Sequence, residues 1–327
     1  MLNLKKVKRI SSASIHLGVS IVLIGGGQAC SSGNRTNEKQ RPNIIYIMSD
    51  DHTTQAFGIY GSRLSPLNPT PNPDPEYTHL GYQEYLKRYL RCVKGVDDNI
   101  GRLIECLKEE GLYDNTIIIY TGDQGFMLGE HDYFDKRWMY EEAMRMPFFV
   151  RYPVKIKPGT RTDAIINNTD FAPTIIEMAG GLAPDYMQGH SFKTILETGE
   201  EPASWQQSTY FRYWMHMAHR HANPGHFGIR TKDYKLIFFY GRNWKEASVK
   251  QNREGWGNQY DIETPVAWEF YNLKKDLFEM QNEYNNPDYK EIIGDLKIQL
   301  SQKRKALNEE DTKFPHIQEG IDIHWND

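Results

Sequence analysis

Thr116-Ile-Ile-Ile-Tyr-Thr-Gly-Asp-Gln-Gly-Phe-Met-Leu-Gly-Glu-His131, continuing to Lys136, is the stretch whose reading decides the fold. It opens as a β-branched, strand-type run and ends in a polar, Gly-punctuated turn. Asp123 and Gln124 follow the strand directly, at the kind of edge where α/β proteins place ligands. A carboxylate and an amide supply the oxygens that a hard cation such as calcium prefers. Gly122 and Gly125 let the backbone pass closely around such a site. Taken alone, the stretch reads equally well as a strand followed by a solvated acidic turn.

A second stretch shifts the balance. Asn43-Ile-Ile-Tyr-Ile-Met48 is another apolar run of strand type, and it ends in Ser49-Asp50-Asp51-His52. In a parallel sheet the two strands end on one edge, which brings Asp50, Asp51, Asp123 and Gln124 together. Three carboxylates and an amide suit a divalent cation; without one the carboxylates repel.

Between the two runs lies a helical pattern, roughly Tyr82 to Glu110, with Tyr82, Tyr85, Leu86, Tyr89, Val93, Val96, Ile100, Leu103 and Leu107 at helical spacing and Gly111 as its stop. Strand, helix, strand permits one right-handed parallel unit. Phe148-Phe-Val150 reads as a further strand, and Asp170 as the cap of a helix from Phe171 to Met178 that ends at Gly180-Gly181. From about Ser208 the texture becomes antiparallel: Thr209 to Trp214, then His226 to Tyr240 with a turn at Lys232-Asp233, and a closing helix from about Tyr289 to Leu307.

Arg41-Pro-Asn-Ile-Ile-Tyr-Ile-Met-Ser-Asp-Asp-His52 resembles the opening motif of the sulfatase family, and Asp123-Gln-Gly-Phe-Met-Leu-Gly-Glu-His131 with Lys136 resembles its second metal motif. Phe134-Asp-Lys-Arg-Trp-Met-Tyr-Glu-Glu142 and Tyr213-Trp-Met-His-Met-Ala-His-Arg220 are similar to the bacterial branch acting on sulfated glycans, N-acetylglucosamine-6-sulfatases included. The resemblance covers most of the chain from Arg41 onward. It implies an α/β fold of the alkaline-phosphatase-like type, a mostly parallel sheet flanked by helices, with a smaller C-terminal antiparallel α+β subdomain. The division it implies is a metal-binding domain over 41–190 and a C-terminal subdomain over 191–327.

The resemblance also implies roles. Asp50, Asp51, Asp123 and Gln124 match the metal positions, for Ca2+ or Mg2+, with Gln124 where many relatives carry Asn. Lys136 matches a lysine that contacts the sulfate and counts as the catalytic residue that remains. His131, Arg137, His216 and Arg220 are candidates for substrate contact. For His131 and Arg137 a capping or packing role explains the residue as well, and the same holds for Arg212, His216, His219 and Arg220. The run His216, His219, His221, His226 invites a zinc reading, but its spacing is irregular and no Cys cluster partners it.

Family members use a formylglycine made from a Cys or Ser in a Cys/Ser-x-Pro/Ala-x-Arg motif, downstream of a Pro-Thr-Pro-Asn-like segment. Asn68-Pro-Thr-Pro-Asn72 is present, but the chain then runs into Pro73-Asp-Pro-Glu-Tyr77, and no such motif stands in its 327 residues. An internal deletion near 72–76 accounts for this. Cys92, mid-helix in Arg91-Cys-Val-Lys-Gly95, lacks the partners to replace it. Sulfate-ester hydrolysis on 6-sulfated N-acetylglucosamine-type glycans is thus the family chemistry, with turnover not expected. The other two readings are a non-catalytic, cation-dependent binder of sulfated sugars and a non-functional deletion fragment.

Composition sets the remaining bounds. Hydrophobic residues make up 39% and aromatic residues 13% of the chain, enough for a core, and the net charge of −4 offers no basic field for nucleic acid. Lys5, Lys6, Lys8 and Arg9 precede an apolar stretch, His16 to Gly27, that is short for a bilayer span and reads as a signal peptide over 1–30. Gln28-Ala-Cys30 resembles a bacterial lipoprotein cleavage site, with 31–40 as a polar tether. The expectation is export, as a periplasmic or outer-membrane lipoprotein attached to the membrane only through Cys30; ordinary secretion is the alternative. Cys92 and Cys106, about 21 Å apart along one helix at 1.5 Å per residue, are expected as buried free thiols.

Overall fold

The structure is a computed structural model that describes residues 19–24, 41–53, 76–217, 223–242 and 264–327. In chain order the elements begin with β1 (Val19–Ile24), β2 (Asn43–Ser49), α1 (Glu76–Glu109) and β3 (Thr116–Gly122). Then come β4 (Met127–Leu128), β5 (Phe134–Asp135), α2 (Glu141–Met144), β6 (Phe148–Arg151), α3 (Phe171–Met178) and α4 (Lys193–Thr198). The C-terminal part contributes β7 (Ser208–Tyr213), β8 (His226–Thr231), β9 (Tyr234–Phe239), β10 (Ala267–Asn272), α5 (Lys290–Ala306) and α6 (Pro315–His324).

The first sheet runs β1-β2-β3-β6. Strands β2 and β3 pair parallel, from Asn43 opposite Thr116 to Ser49 opposite Gly122. The α/β class holds, but among the described residues this sheet is mixed rather than mostly parallel: β1 and β6 both join antiparallel. All seven residues of β3 are buried. Ile117 and Ile119 face Phe171, Phe192 and Ile195 on one side, while Ile118 and Tyr120 face α1 on the other. Burial on both faces is why the strand reads as an unbroken apolar run.

Helix α1 is 34 residues long, about 50 Å at the α-helical rise. Its second half lays Val96, Ile100, Leu103, Ile104 and Leu107 on Ile45, Ile47, Ile118 and Tyr120. Its first half sets Tyr82, Leu86 and Tyr89 against Phe126 and Leu128. Gly111, at φ +66°, takes the left-handed conformation that ends the helix. The two cysteines correct an expectation: Cys92 and Cys106 are exposed, because only one stripe of α1 is packed and both lie off it.

Strand β1 lies within the expected signal peptide and runs antiparallel along β2, Val19 opposite Ser49. Cys30 and the 31–40 tether lie outside the described residues, as do the expected junction residues 72–75. None of the described helices is long and apolar enough to cross a membrane.

The second sheet is antiparallel throughout, in the order β10-β9-β8-β7, and α5 and α6 cover one face. Strand β10 and helix α6 have no counterpart in the sequence reading. The other face of this sheet meets the segment after β3: Ile237, Phe239, Tyr271 and Leu273 share a cluster with Met127, Met139, Tyr140 and Ala143. An ion cluster pins the seam. Lys235, fully buried, pairs with Glu141 at 3.0 Å and Glu279 at 2.6 Å, and Arg230 holds both Glu141 oxygens at 3.1 and 3.0 Å. Asp170 is a second correction. Its carboxylate does not cap α3; it accepts from the backbone of Asn167 (2.7 Å) and His190 (2.8 Å) and from Gln206 (2.7 Å), gathering three loops.

Removing the ammonium at the seam would leave two buried carboxylates facing each other. Lys235→Ala is expected to lower the unfolding free energy by roughly 3–5 kcal/mol, read from urea or thermal denaturation.

Candidate metal centre

The parallel register decides the site. Because Ser49 and Gly122 sit opposite each other, the loops after β2 and β3 leave the sheet side by side. Asp50, Asp51 and Asp123 each bring a carboxylate oxygen within 4.8 Å of the others. The loops are also bonded to each other. The Asp51 and Gln124 amides both donate to Asp123 Oδ1 at 2.9 Å, and the Asp123 amide donates to Ser49 O at 3.1 Å. Asp51 stands at φ +50°, a left-handed conformation uncommon outside glycine.

Gln124 completes the set. Its side-chain amide lies 3.0 Å from Asp51 Oδ1. Amide oxygen and nitrogen differ only by a flip, so the same side chain can present oxygen to a cation held there. Gly122 and Gly125 act through close approach. A Cβ on Gly122 would stand 3.1 Å from the carbonyl oxygens of His52 and Gln124, and one on Gly125 would stand 2.1 Å from that of Glu142.

Lys136, the residue after β5, reaches this group with Nζ 2.5 Å from Asp51 and 3.7 Å from Asp50. Burial acts to lower its pKa, but the hydrogen bond to Asp51 and the charges of Asp51, Asp123 and Asp50 outweigh it and hold the pKa above the ordinary lysine value. Asp50 is raised above the usual carboxylate range by burial, then by Asp51 and Asp123, with Lys136 opposing. One ammonium against three carboxylates leaves an excess of negative charge that a hard divalent cation would neutralise.

The supports come from residues that the sequence reading did not single out for the site. Tyr89 of α1 donates to Asp51 O at 2.6 Å and accepts from the Thr53 amide at 3.0 Å, fixing the acidic loop to the helix. His52 is buried and hydrogen-bonded to the Tyr120 hydroxyl, and burial lowers its pKa to about 4, so it stays neutral. The regular Tyr82, Tyr85, Tyr89 spacing was the available signal, but it reads first as core.

The remaining candidates fall elsewhere. Arg137 hydrogen-bonds to buried Asp135 beside Lys136. His131, at φ +53°, stacks on Tyr140 with centroids 4.2 Å apart, its Nε2 3.9 Å from Glu142. His216 is fully buried, and its Nδ1 accepts from the Gly225 amide at 2.8 Å. Arg220, His219 and His221 lie outside the described residues. Arg212 is turned away into an ion cluster with Asp311 at 2.7 Å, which Arg304 shares.

Residues 129–306 match the family profile described as N-sulphoglucosamine sulphohydrolase, C-terminal, and residues 66–181 match that described as Sulfatase. The second match begins downstream of Asp50 and Asp51, so their part in the centre rests on the register just described. The chain is 42% identical over 231 residues to an N-acetylglucosamine-6-O-sulfatase of Bacteroides thetaiotaomicron, covering 70% of this chain and 37% of that one. It is 37% identical over 164 residues to an N-acetylglucosamine-6-sulfatase of Capra hircus, covering 48% of this chain and 28% of that one. A solved structure described as a complex with its substrate D-glucosamine-2-N,6-O-disulfate superposes with a TM-score of 0.63 at 39% identity, covering 79% of this chain and 46% of that one. The chain spans about two-fifths of the length of the curated relatives it matches.

Behind the Asp123 turn, Glu142 is buried, and its pKa is raised to about 7 by burial and by Glu279 and Glu130, against its own backbone hydrogen bond and Lys235. The folded state therefore holds a proton there that the unfolded state releases above the ordinary glutamate value. This contribution costs stability progressively as pH rises from about 4.5 to about 7. Glu142→Gln is expected to raise the melting temperature at pH 8 and to change it little at pH 4, with a gain at pH 8 of up to about 3 kcal/mol.

Proposed function

From the premise that this chain belongs to the sulfatase family, we propose that it recognises the sulfate group of a sulfated glycan at a cation held by Asp50, Asp51, Asp123 and Gln124. The observation that carries the reading is the convergence of those four side chains with Lys136 on one sheet edge. Calcium is the favoured ion and magnesium the alternative, since a mixed set of carboxylate and amide oxygens suits the larger cation, which is less demanding in geometry. When bound, the cation supplies charge neutralisation for a sulfate oxygen. Lys136 then offers a point charge to the same anion, and the Tyr89 bonds keep Asp51 in place. The names of the relatives support 6-sulfated N-acetylglucosamine, or a glycan that carries it, as the substrate class.

Hydrolysis through formylglycine needs a precursor motif that these 327 residues do not contain. Without a covalent nucleophile the site holds its anion and turns it over poorly. The reading is therefore sulfatase-type recognition with little catalysis. Export with lipid attachment at Cys30 belongs to the same proposal, on the strength of the basic start, the apolar stretch and Gln28-Ala-Cys30. Palmitate labelling of cells expressing the chain should mark it and should be lost in Cys30→Ser.

Titration calorimetry should show calcium binding, and calcium-dependent binding of 6-sulfated N-acetylglucosamine. Asp123→Asn should weaken calcium binding at least about 100-fold. Lys136→Ala should weaken the sugar about 10-fold and spare calcium. Hydrolysis of 4-nitrophenyl sulfate should stay at the buffer rate; robust turnover abolished by Asp123→Ala would show that a nucleophile is present after all.

A further inference from the structure

The metal centre is bordered by aromatic rings that its own chemistry does not use. Helix α1 is tied to the acidic loop by Tyr89, through Asp51 O at 2.6 Å and the Thr53 amide at 3.0 Å. Tyr85 stands one helical turn before Tyr89 and Tyr82 three residues before that, so the three rings lie along one stripe. Opposite them is Phe134 of β5. Its ring meets Tyr85 edge-on, with centroids 5.1 Å apart at 77°, and Tyr82 at 5.7 Å and 60°. Gly129, at φ +113°, makes room for Tyr82, since a Cβ there would stand 3.1 Å from the tyrosine ring.

Two of these rings stay uncovered. Phe134 is 46% exposed and Tyr85 38% exposed, whereas Leu86 and Leu128 just beneath are buried. Both belong to the surroundings of the centre. Phe134 adjoins buried Asp135 and stands two residues before Lys136, whose Nζ is 2.5 Å from Asp51. Tyr85 stands one helical turn before Tyr89, which is bonded to the acidic loop, and burial first, then the charges of Asp51 and Asp135, raises its phenol pKa.

An inorganic anion needs no such surface. A pyranose ring does: its C–H face lies against an aromatic ring while its polar substituents stay wet, the same division of labour that tyrosine provides at interfaces. We propose that Phe134 and Tyr85, backed by Tyr82, form a wall against which the pyranose ring of a sulfated sugar lies while its sulfate faces Lys136 and the carboxylate cluster. The wall deepens the reading of the site given above and rests on it. It assigns selection between a sulfated sugar and free sulfate to residues outside the metal set.

Calorimetry with calcium alone, then with sodium sulfate and with 6-sulfated N-acetylglucosamine in saturating calcium, separates the two levels. Phe134→Ala and Tyr85→Ala should each weaken the sugar by about 3- to 10-fold and leave calcium and sulfate within twofold of the parent. Phe134→Leu guards against a merely structural effect, because it keeps apolar packing on α1 and removes the flat ring. It should keep the parent melting temperature and still lose sugar affinity. Unchanged sugar affinity in both alanine variants, or recovery of it in Phe134→Leu, overturns the wall. A parent protein that binds calcium and sulfate but not the sugar also overturns it. A parent that binds neither calcium nor sulfate overturns the underlying reading, and the wall with it.

Discussion

Everything that gives this molecule a site depends on one ladder, the seven-residue parallel pairing of β2 with β3. Parallel strands finish together, so their following loops are neighbours without any further design. A shift of one residue would turn Asp123 away from Asp51 and reverse every side chain of β3 between its two cores. The register is therefore held by burial on both faces, with Ile117 and Ile119 committed to one side and Ile118 and Tyr120 to the other. The apolar core and the polar edge are two consequences of the same alignment.

Charge is handled in two ways. At the seam between the sheets, Lys235, Arg230, Glu141 and Glu279 balance, and so far as they are buried they are paired. At the edge of the first sheet, Asp50, Asp51 and Asp123 face Lys136 in partial solvent access and do not balance. A fold that neutralises its deep charges and leaves a cluster of like charges near the surface has placed its electrostatic tension where a ligand can reach it. Asp51 adds a left-handed backbone to that tension, held by the Tyr89 and Asp123 bonds.

The two carboxylate loops were legible in the sequence because each follows a run of β-branched residues, and a strand's end is easy to see. The antiparallel C-terminal sheet was legible through β7, β8 and β9 for the same reason. Three features were not. Helical periodicity shows that Tyr82, Tyr85 and Tyr89 share a face, but not that the face continues past the core to the acidic loop. Cys92 and Cys106 are exposed although cysteine is usually buried, because the residue type cannot tell which side of a long helix lacks a neighbour. His190 and Gln206, which hold Asp170, and Glu141 and Glu279, which hold Lys235, are far off in the chain, so a local reading gives the first a capping role and the second none. The joined family motifs point to the two loops that the β2–β3 register brings together, while the tertiary supports of Asp51 and Asp123 have no signature in the local sequence.

The turn that carries Asp123 and Gln124 is braced from behind by α2, through the Gly125 amide to Ala143 O at 2.9 Å and the near contact of Gly125 with the Glu142 carbonyl. Helix α2 is in turn gripped by Lys235 and Arg230 of the second sheet through Glu141. The placement of this acidic turn thus depends on strands that contribute no oxygen to it. A truncated version that stops near residue 190 would retain all four oxygen-bearing side chains and still lose their scaffolding. What looks like a dispensable carboxy-terminal appendage is a buttress, and the smallest unit that keeps the acidic turn in place includes both sheets.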